Sequence, residues 1–328
     1  MAGKIRIGIY GYGNIGKNVE KIVAKNTDME LVAVFTRRDP CKVKTLYRGT
    51  KVAAADKVLE YKDKVDVMIL CGGSATDLPD QGPETAKHFN VVDSYDTHAK
   101  IPEYFKKMNE AAKISKKAAI ISVGWDPGLF SMMKSLFMSV LPEGNTGAFW
   151  GPGVSQGHGE AIRGVEGVAD AIQYTIPSEK IMNEIRNGSQ KEYTTKQKHK
   201  RSCYVVAEKG YDKEKIAKTI KEMPFYFADY ETEVTFITPE EMKKDHSGMP
   251  HAGHVIRTGM TAPDEKQLME FLIRLDSNPA FTASIMVAYA RAAFRLFTEK
   301  QHGARTALDI PVSYLSPDSE EKQIAEML

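Results

Sequence analysis

Three glycines constrain this chain most. Gly11-Tyr12-Gly13-Asn14-Ile15-Gly16 follows the apolar run Ile5–Tyr10 and opens a stretch in which Ile15, Val19, Ile22 and Val23 share one helical face. Strand, tight turn and helix at this spacing form the dinucleotide-binding fingerprint. Gly11 permits the turn. Gly13 lets a pyrophosphate approach the backbone, and Gly16 lets helix and strand pack closely. The first helical turn then offers N–H groups and a partial positive charge to the phosphates. Without a ligand the triplet would be a plain turn, but its place between strand and helix argues for a nucleotide.

The end of the second strand, Met29–Phe35, chooses between cofactors. An NAD site places a carboxylate about 20 residues after the glycines, for the ribose 2′-hydroxyl. Here the strand runs into Thr36-Arg37-Arg38, with Asp39 only afterwards. Two guanidiniums and a hydroxyl suit a 2′-phosphate, so NADP is expected. The next clear strand ends in Cys71-Gly72-Gly73-Ser74-Ala75-Thr76. These small residues leave room for ribose and nicotinamide at the sheet's carboxyl edge. Cys71 has no neighbouring histidine and reads as a buried thiol rather than a nucleophile.

Further strand candidates at Val65–Leu70, Asn90–Asp93 and Ala118–Val123, a weaker one near Lys51–Ala53, and a helix over Ile101–Lys116 continue the alternation. Such alternation implies crossover connections and a parallel sheet. The fold class expected is α/β, a doubly wound Rossmann domain over 1–124, completed by 279–328. A second, α+β domain with a mixed sheet is expected over 125–278. Its strand candidates are Thr146–Trp150, Ala171–Ile176, His199–Ala207, Glu231–Ile237 and His254–Thr258, with helices at Asp212–Glu222, Asp264–Asp276 and Pro279–Glu299.

Two acidic segments close strands at the carboxyl edge, where ligands bind in such sheets: Asp93-Ser94-Tyr95-Asp96 and Gly124-Trp125-Asp126-Pro127-Gly128. Carboxylates there suit an ammonium group. For Asp126, before a proline, a helix N-cap is the competing reading. The glycine-rich Trp150–His158 segment offers backbone N–H groups to a carboxylate. Lys198-His199-Lys200-Arg201 is a basic run, three members of which read as a solvated face. His246, His251 and His254 lie close together without H-E-x-x-H spacing, so no metal is expected.

Taken together these strings resemble meso-diaminopimelate dehydrogenase over essentially the whole chain. The segments are GYGNIG at Gly11, TRR at Thr36, CGGSATDLP at Cys71, DSYDTH at Asp93, GWDPG at Gly124, FWGPGVSQGH at Phe149, QYTIPSE at Gln173, KHKRSC at Lys198, HSGMPHAGHVI at His246 and LDSNPAFTAS at Leu275. Thr36 and Gly72 are where relatives are expected to vary. The resemblance implies NADP-dependent oxidative deamination at the D-centre of meso-2,6-diaminopimelate, in lysine biosynthesis, by a homodimer. It implies that Asp96 and Asp126 face the reacting end, with Trp125, Trp150, Gln156 and Gly157 shaping that pocket. It also implies that Thr175, Arg201, His251 and Asn278 hold the distal carboxylate and amino group. His158 and the later histidines remain candidates for an acid or base.

A net charge of +2 over 328 residues argues against nucleic-acid or membrane-surface partners. Three scattered cysteines, Cys41, Cys71 and Cys203, suit a reducing compartment, and a cytoplasmic location is expected. No run approaches the about 20 consecutive apolar residues of a membrane span. The alternatives are another two-domain NADP oxidoreductase of the same pathway and a non-catalytic NADP sensor. The sensor needs neither GWDPG nor Arg201.

Overall fold

The computed structural model describes residues 3–224 and 226–328, with Gln156 described by its backbone alone. Two compact units emerge, Met1–Met132 with Pro279–Leu328, and Met133–Asn278.

The first unit is built on strands β1 (Ile5–Tyr10), β2 (Met29–Thr36), β3 (Val52–Ala54), β4 (Val67–Leu70), β5 (Asn90–Asp93) and β6 (Ala118–Ile120), and on helices α1 (Asn14–Val23), α2 (Leu78–Ala86) and α3 (Ile101–Ile114). With a seventh strand, Gly303–Arg305, they form one sheet in the order Gly303–Arg305, β6, β5, β4, β1, β2, β3. Every pairing is parallel. The inner strands β4 and β5 are buried at each residue, as a sheet covered on both faces requires. The strand order reverses at β1, which makes the carboxyl ends of β1 and β4 the ligand-binding crevice of a doubly wound sheet.

Helix α4 (Leu129–Val140) contains the division between the units. In the second unit the chain forms β7 (Gly144–Trp150), β8 (Gly153–Val154), α5 (Gln156–Arg163), β9 (Val168–Pro177), α6 (Glu179–Arg186) and α7 (Thr195–Lys198). It continues through β10 (His199–Ala207), α8 (Lys213–Lys221), β11 (Thr232–Phe236), α9 (Pro239–Asp245), β12 (His251–Ala262) and β13 (Glu265–Leu275). One sheet is mixed, in the order β11-β10-β9-β8, with only β10 and β11 parallel. The other is the antiparallel β13-β12-β7. Ile162 of α5 and Ile216 and Ile220 of α8 pack with Phe227 against Ala171, Cys203 and Val205 of the mixed sheet. Met182 and Ile185 of α6 cover Phe149 and Ile256 of the other.

The helix expected over Asp264–Asp276 is strand β13 instead. Its glutamate, lysine, glutamine, leucine and methionine are good helix formers. Asp264, at φ 67°, turns the chain directly back onto β12, and the hairpin pairs from Ala262↔Glu265 to His251↔Leu275. Met269, Phe271, Ile273 and Leu275 then alternate inward against exposed Leu268, Glu270, Leu272 and Arg274. Cross-strand pairing overrides propensity here.

Helix α10 (Asn278–Thr298) brings the chain back to the first unit. By length and hydropathy it would pass for a membrane span, although 61% of its most apolar window is buried in the protein. Buried Arg291 pairs with Asp28 at 2.6 Å and donates to Asn26 and the Leu315 carbonyl, which ties the C-terminal segment to the start of β2.

Candidate active site

At the nucleotide end, Gly11 turns with φ 98° and donates its N–H to the Phe35 carbonyl. A Cβ on Gly16 would lie 2.2 Å from the Gly11 carbonyl oxygen, whereas one on Gly13 meets nothing within 4 Å. Gly16 therefore serves packing, and Gly13 keeps an open approach. Helix α1 has no side-chain cap, so its first-turn N–H groups, from Asn14 and Ile15 onward, are available to an anion. These features fit a dinucleotide pyrophosphate.

Tyr12 is buried rather than facing the nucleotide. Its hydroxyl donates to Glu20, a 1% exposed carboxylate on the inner face of α1. Glu20 also accepts from Thr50 Oγ1 at 2.6 Å and from the N–H groups of Leu46 and Tyr47 at 3.1 and 3.3 Å. Burial alone would raise its pKa. The donors outweigh it and hold the carboxyl below its usual range.

Arg38 Nη2 donates to the Tyr12 carbonyl at 2.6 Å, and the Arg38 N–H donates to Thr36 Oγ1. Arg37 is exposed and ion-paired with Asp77 at 2.9 Å. That carboxylate comes from the loop after β4, where Asp77 also accepts the Gly73 N–H. Arg38 is thus tied to the glycine turn and Thr36 to Arg38, while Arg37 is the exposed cation paired with Asp77. Both arginines suit a 2′-phosphate, Arg37 by exchanging or sharing Asp77.

The loop after β4 touches the next one. Ser74 Oγ accepts the Asp96 N–H at 2.9 Å and lies 3.3 Å from Thr97 Oγ1. Gly72, Ala75 and Thr76 complete that loop. The Cys71 thiol is pushed up by burial, which makes it a poor nucleophile.

The carboxyl edge depends on a residue the sequence did not single out for a role. Asp93, 0% exposed, accepts the N–H groups of Tyr95 at 2.9 Å and Ser122 at 3.0 Å, and the Tyr104 hydroxyl at 2.7 Å. Ser122 is left-handed, at φ 56°, a conformation costing on the order of 1 kcal/mol for a residue with a side chain. One carboxylate thereby joins the segment carrying Asp96 to the one entering Gly124–Asp126. Burial, working against these three bonds, pushes Asp93 up to about 6.

Asp126 is not the N-cap of α4, which begins at Leu129. Instead the Gly124 and Trp125 carbonyls accept from the N–H groups of Leu129 and Phe130, so the loop itself is clamped to the helix start. Trp125 is buried edge-on against Phe130, 5.1 Å between centroids.

In the second unit, one face of the mixed sheet brings together two of the four residues expected to hold a substrate's far end, Thr175 and Arg201, while His251 opens β12 of the other sheet and Asn278 opens α10. Thr175 pairs with Arg201, Gln173 with Cys203, and Gly153 with Thr175. Pairs directly opposite point to the same face, as do residues two apart. Arg201 is 8% exposed, donates to Thr175 Oγ1, and stacks its guanidinium 4.0 Å from the Tyr230 ring centroid. Burial lowers its pKa, Tyr230 works the other way, and no carboxylate among the described residues forms an ion pair with it. A Cβ on Gly153 would fall 2.4 Å from the His251 ring, so only glycine lets His251 sit there. Asn278 donates its N–H to the Met249 carbonyl, close in sequence to His251. Gly157 is exposed with open space around it.

His199 corrects the reading of the basic run as a mostly solvated face. It is 2% exposed, accepts the Trp150 N–H on Nε2 at 2.9 Å, and donates from Nδ1 to the Thr195 carbonyl at 2.8 Å. Burial is the main cause that drops it to about 4, with Lys198 and Arg201 adding to the effect. His158 also falls to about 4, by burial and then the Arg201 charge, and its Nδ1 lies 2.7 Å from Ser155 Oγ. The later histidines diverge: His246 meets Tyr174 and Tyr204, His254 pairs with Glu270, and His251 lies over Gly153.

Residues 124–277 match the diaminopimelic acid dehydrogenase C-terminal domain. A meso-diaminopimelate D-dehydrogenase from Ureibacillus thermosphaericus is 56% identical over 325 residues, 99% of either chain. The chain belongs to the meso-diaminopimelate dehydrogenase family.

Solved structures agree across both units. The C. glutamicum DAP dehydrogenase in complex with DAP shares 45% identity and a TM-score of 0.90, covering 99% of both chains. An engineered D-amino acid dehydrogenase bound to NADP+ shares 44% identity and a TM-score of 0.86, covering 99% of this chain and all of that one. Glu20 and Asp93 in the first unit, and His199 and Tyr230 in the second, are buried or bonded partners of the expected residues that the sequence did not single out for a role. Glu20 had a sequence signal, since it lies four residues after Gly16 and next to Val19 on the inward face of α1.

Proposed function

We propose that this chain is an NADP-dependent dehydrogenase of meso-2,6-diaminopimelate. It converts the D-centre reversibly to the ketone of L-2-amino-6-oxopimelate, consuming water and NADP+ and releasing ammonia, NADPH and a proton. The observation that carries this is Arg201: a buried guanidinium held by Thr175 and Tyr230, with no described carboxylate as its partner. A buried cation left so is costly unless an anion arrives, and the distal carboxylate of the substrate is that anion.

When bound, NADP+ supplies the hydride acceptor. The turn from Gly11 to Ile15 holds its pyrophosphate through backbone N–H groups, with Tyr12 contributing backbone only and Gly16 packing beneath the turn; Thr36, Arg37 and Arg38 hold its 2′-phosphate, and Cys71 to Thr76 line its ribose and nicotinamide. Asp96 and Asp126 bind the ammonium of the reacting centre and exchange protons with the attacking water and departing ammonia. Trp125, Trp150, Gln156 and Gly157 shape the space about that centre. Thr175, Arg201, His251 and Asn278 hold the distal end, so the remote contacts fix which Cα–H is presented. The family resemblance supports a homodimer. Three free thiols, Cys41, Cys71 and Cys203, suit a cytoplasmic setting.

The test follows reduced nicotinamide with the meso, LL and DD isomers, each with NADP and with NAD. Turnover of the meso isomer with NADP is expected. No turnover of any isomer overturns the assignment.

A further inference from the structure

Gln173 is fully buried, at 0% exposed, yet neither its Oε1 nor its Nε2 has a hydrogen-bond partner among the described residues. Its neighbours explain the position but not the chemistry. On one side of it along β9, Ala171 belongs to the apolar layer beneath α5 and α8. On the other side Thr175 bonds Arg201. Gln173 is directly opposite Cys203 and therefore diagonal to Arg201 on the same face, a spacing that long side chains bridge. Arg201 also has an unpartnered buried atom, its Nε. The backbone at this point is well used, because the Gln173 carbonyl accepts the Ser155 N–H at 3.0 Å.

Burying an amide without a partner is unfavourable, and a leucine or methionine would pack beside Ala171 and Cys203 at lower cost. A glutamine here needs another reason. We infer that Gln173 is a substrate-binding residue that reads the distal amino-acid centre, its Oε1 accepting from the ammonium and its Nε2 donating to the carboxylate. One amide carries one acceptor and two donors, and an amino-acid end carries one group of each complementary kind on a single carbon. Arg201 binds the carboxylate whether or not an ammonium stands beside it; Gln173 adds the distinction between an amino acid and a plain carboxylic acid. This rests on the function proposed above.

The test uses the whole enzyme with two substrates, meso-diaminopimelate and D-2-aminopimelate, which keeps the distal carboxylate but lacks the distal ammonium. The variants are Gln173→Leu and, in case the branched side chain does not fold, Gln173→Met. The ratio of kcat/KM between the two substrates is expected to fall about tenfold or more in each variant, the worth of one hydrogen bond to a charged group. The melting temperature is expected to hold or rise. A ratio equal to that of the parent enzyme overturns the inference, and a fall in melting temperature with an unchanged ratio assigns the amide to folding instead. If the parent enzyme oxidises neither compound, the proposed function itself fails, which the same assay shows before any variant is made.

Discussion

Glu20 and Asp93 in the first unit are as deeply buried as Gln173 and Arg201 in the second, yet their surroundings are opposite. Glu20 is met by four donors and Asp93 by three. Gln173 and Arg201 retain unpartnered polar atoms. A buried carboxylate surrounded by donors is finished; it ties loops together and has nothing left to offer a ligand. A buried polar group without partners is a standing cost that a ligand can relieve. Under the proposed function, the contrast separates the residues that position loops from those that recognise substrate.

Arg201→Met gives the largest effect and the sharpest test of that contrast. Catalytic efficiency on meso-diaminopimelate is expected to fall about 100- to 1000-fold, the range for losing a buried charged contact. Thermal stability is expected to hold or rise, because an unpaired buried charge has been removed. A large drop in melting temperature would break the comparison, by showing that Arg201 is a structural cation. Adding His251→Ala should shift relative efficiency toward simple D-amino acids; an unmoved ratio counts against a distal role for both.

Asp93→Ala should do the reverse in kind. Two backbone N–H groups and the Tyr104 hydroxyl lose their acceptor, which costs about 3 kcal/mol or more in denaturant unfolding. The turnover number should fall with it, because the Asp96 and Gly124–Asp126 segments lose their common anchor. Asp93→Asn keeps one acceptor oxygen and should lie between. A stable Asp93→Ala enzyme with full activity would remove Asp93 from the positioning set.

His199 belongs with the finished residues, and pH tests it. Its folded pKa, about 4, lies below the ordinary value of about 6.5. Between these two values the unfolded chain takes up a proton that the folded chain refuses. The stabilising contribution is therefore complete above about pH 6.5 and is lost as pH falls toward about 4, on the order of 3 kcal/mol at most. His158 works in the same direction. Unfolding free energies at about pH 7 and about pH 5 should differ less in His199→Gln than in the parent chain. Equal pH slopes would mean that the Trp150 N–H does not depend on a neutral imidazole.

The parts legible in sequence were those whose signal is local. The glycine turn, the alternating elements of the first unit and Thr36-Arg37-Arg38 each declare themselves within a few residues. Arg201 and the two aspartates were visible as charged residues beside strand ends. What escaped was set by partners distant in the chain. His199 sits in a run of cations and reads as surface until Trp150 is placed over it. Asp93 lies inside a quoted segment, but its role requires Ser122 and Tyr104. The hairpin of β12 and β13 hides behind good helix formers because the pairing, not propensity, decides it. Gln173 opens a quoted segment but gave no sign of a role, since a glutamine in a strand is ordinary until the sheet around it is known.

Glu20→Gln should produce the smallest effect and sharpens the comparison at the cofactor end. The amide replaces one of two acceptor oxygens with a donor, so Tyr12, Thr50, Leu46 and Tyr47 can no longer all be satisfied. Tyr12 is the link to the cofactor, because its carbonyl accepts from Arg38 while its hydroxyl donates to Glu20. Loosening it should let the glycine turn and Arg38 drift together, at a loss of about one hydrogen bond to a charged group. KM for NADP should rise about five- to tenfold while kcat stays within about twofold, since no group at the reacting centre has moved. KM for NAD should change less, because NAD has no 2′-phosphate for Arg38 to hold. Equal losses for NADP and NAD would show that Glu20 supports the fold of the nucleotide unit as a whole and does not tune the phosphate site.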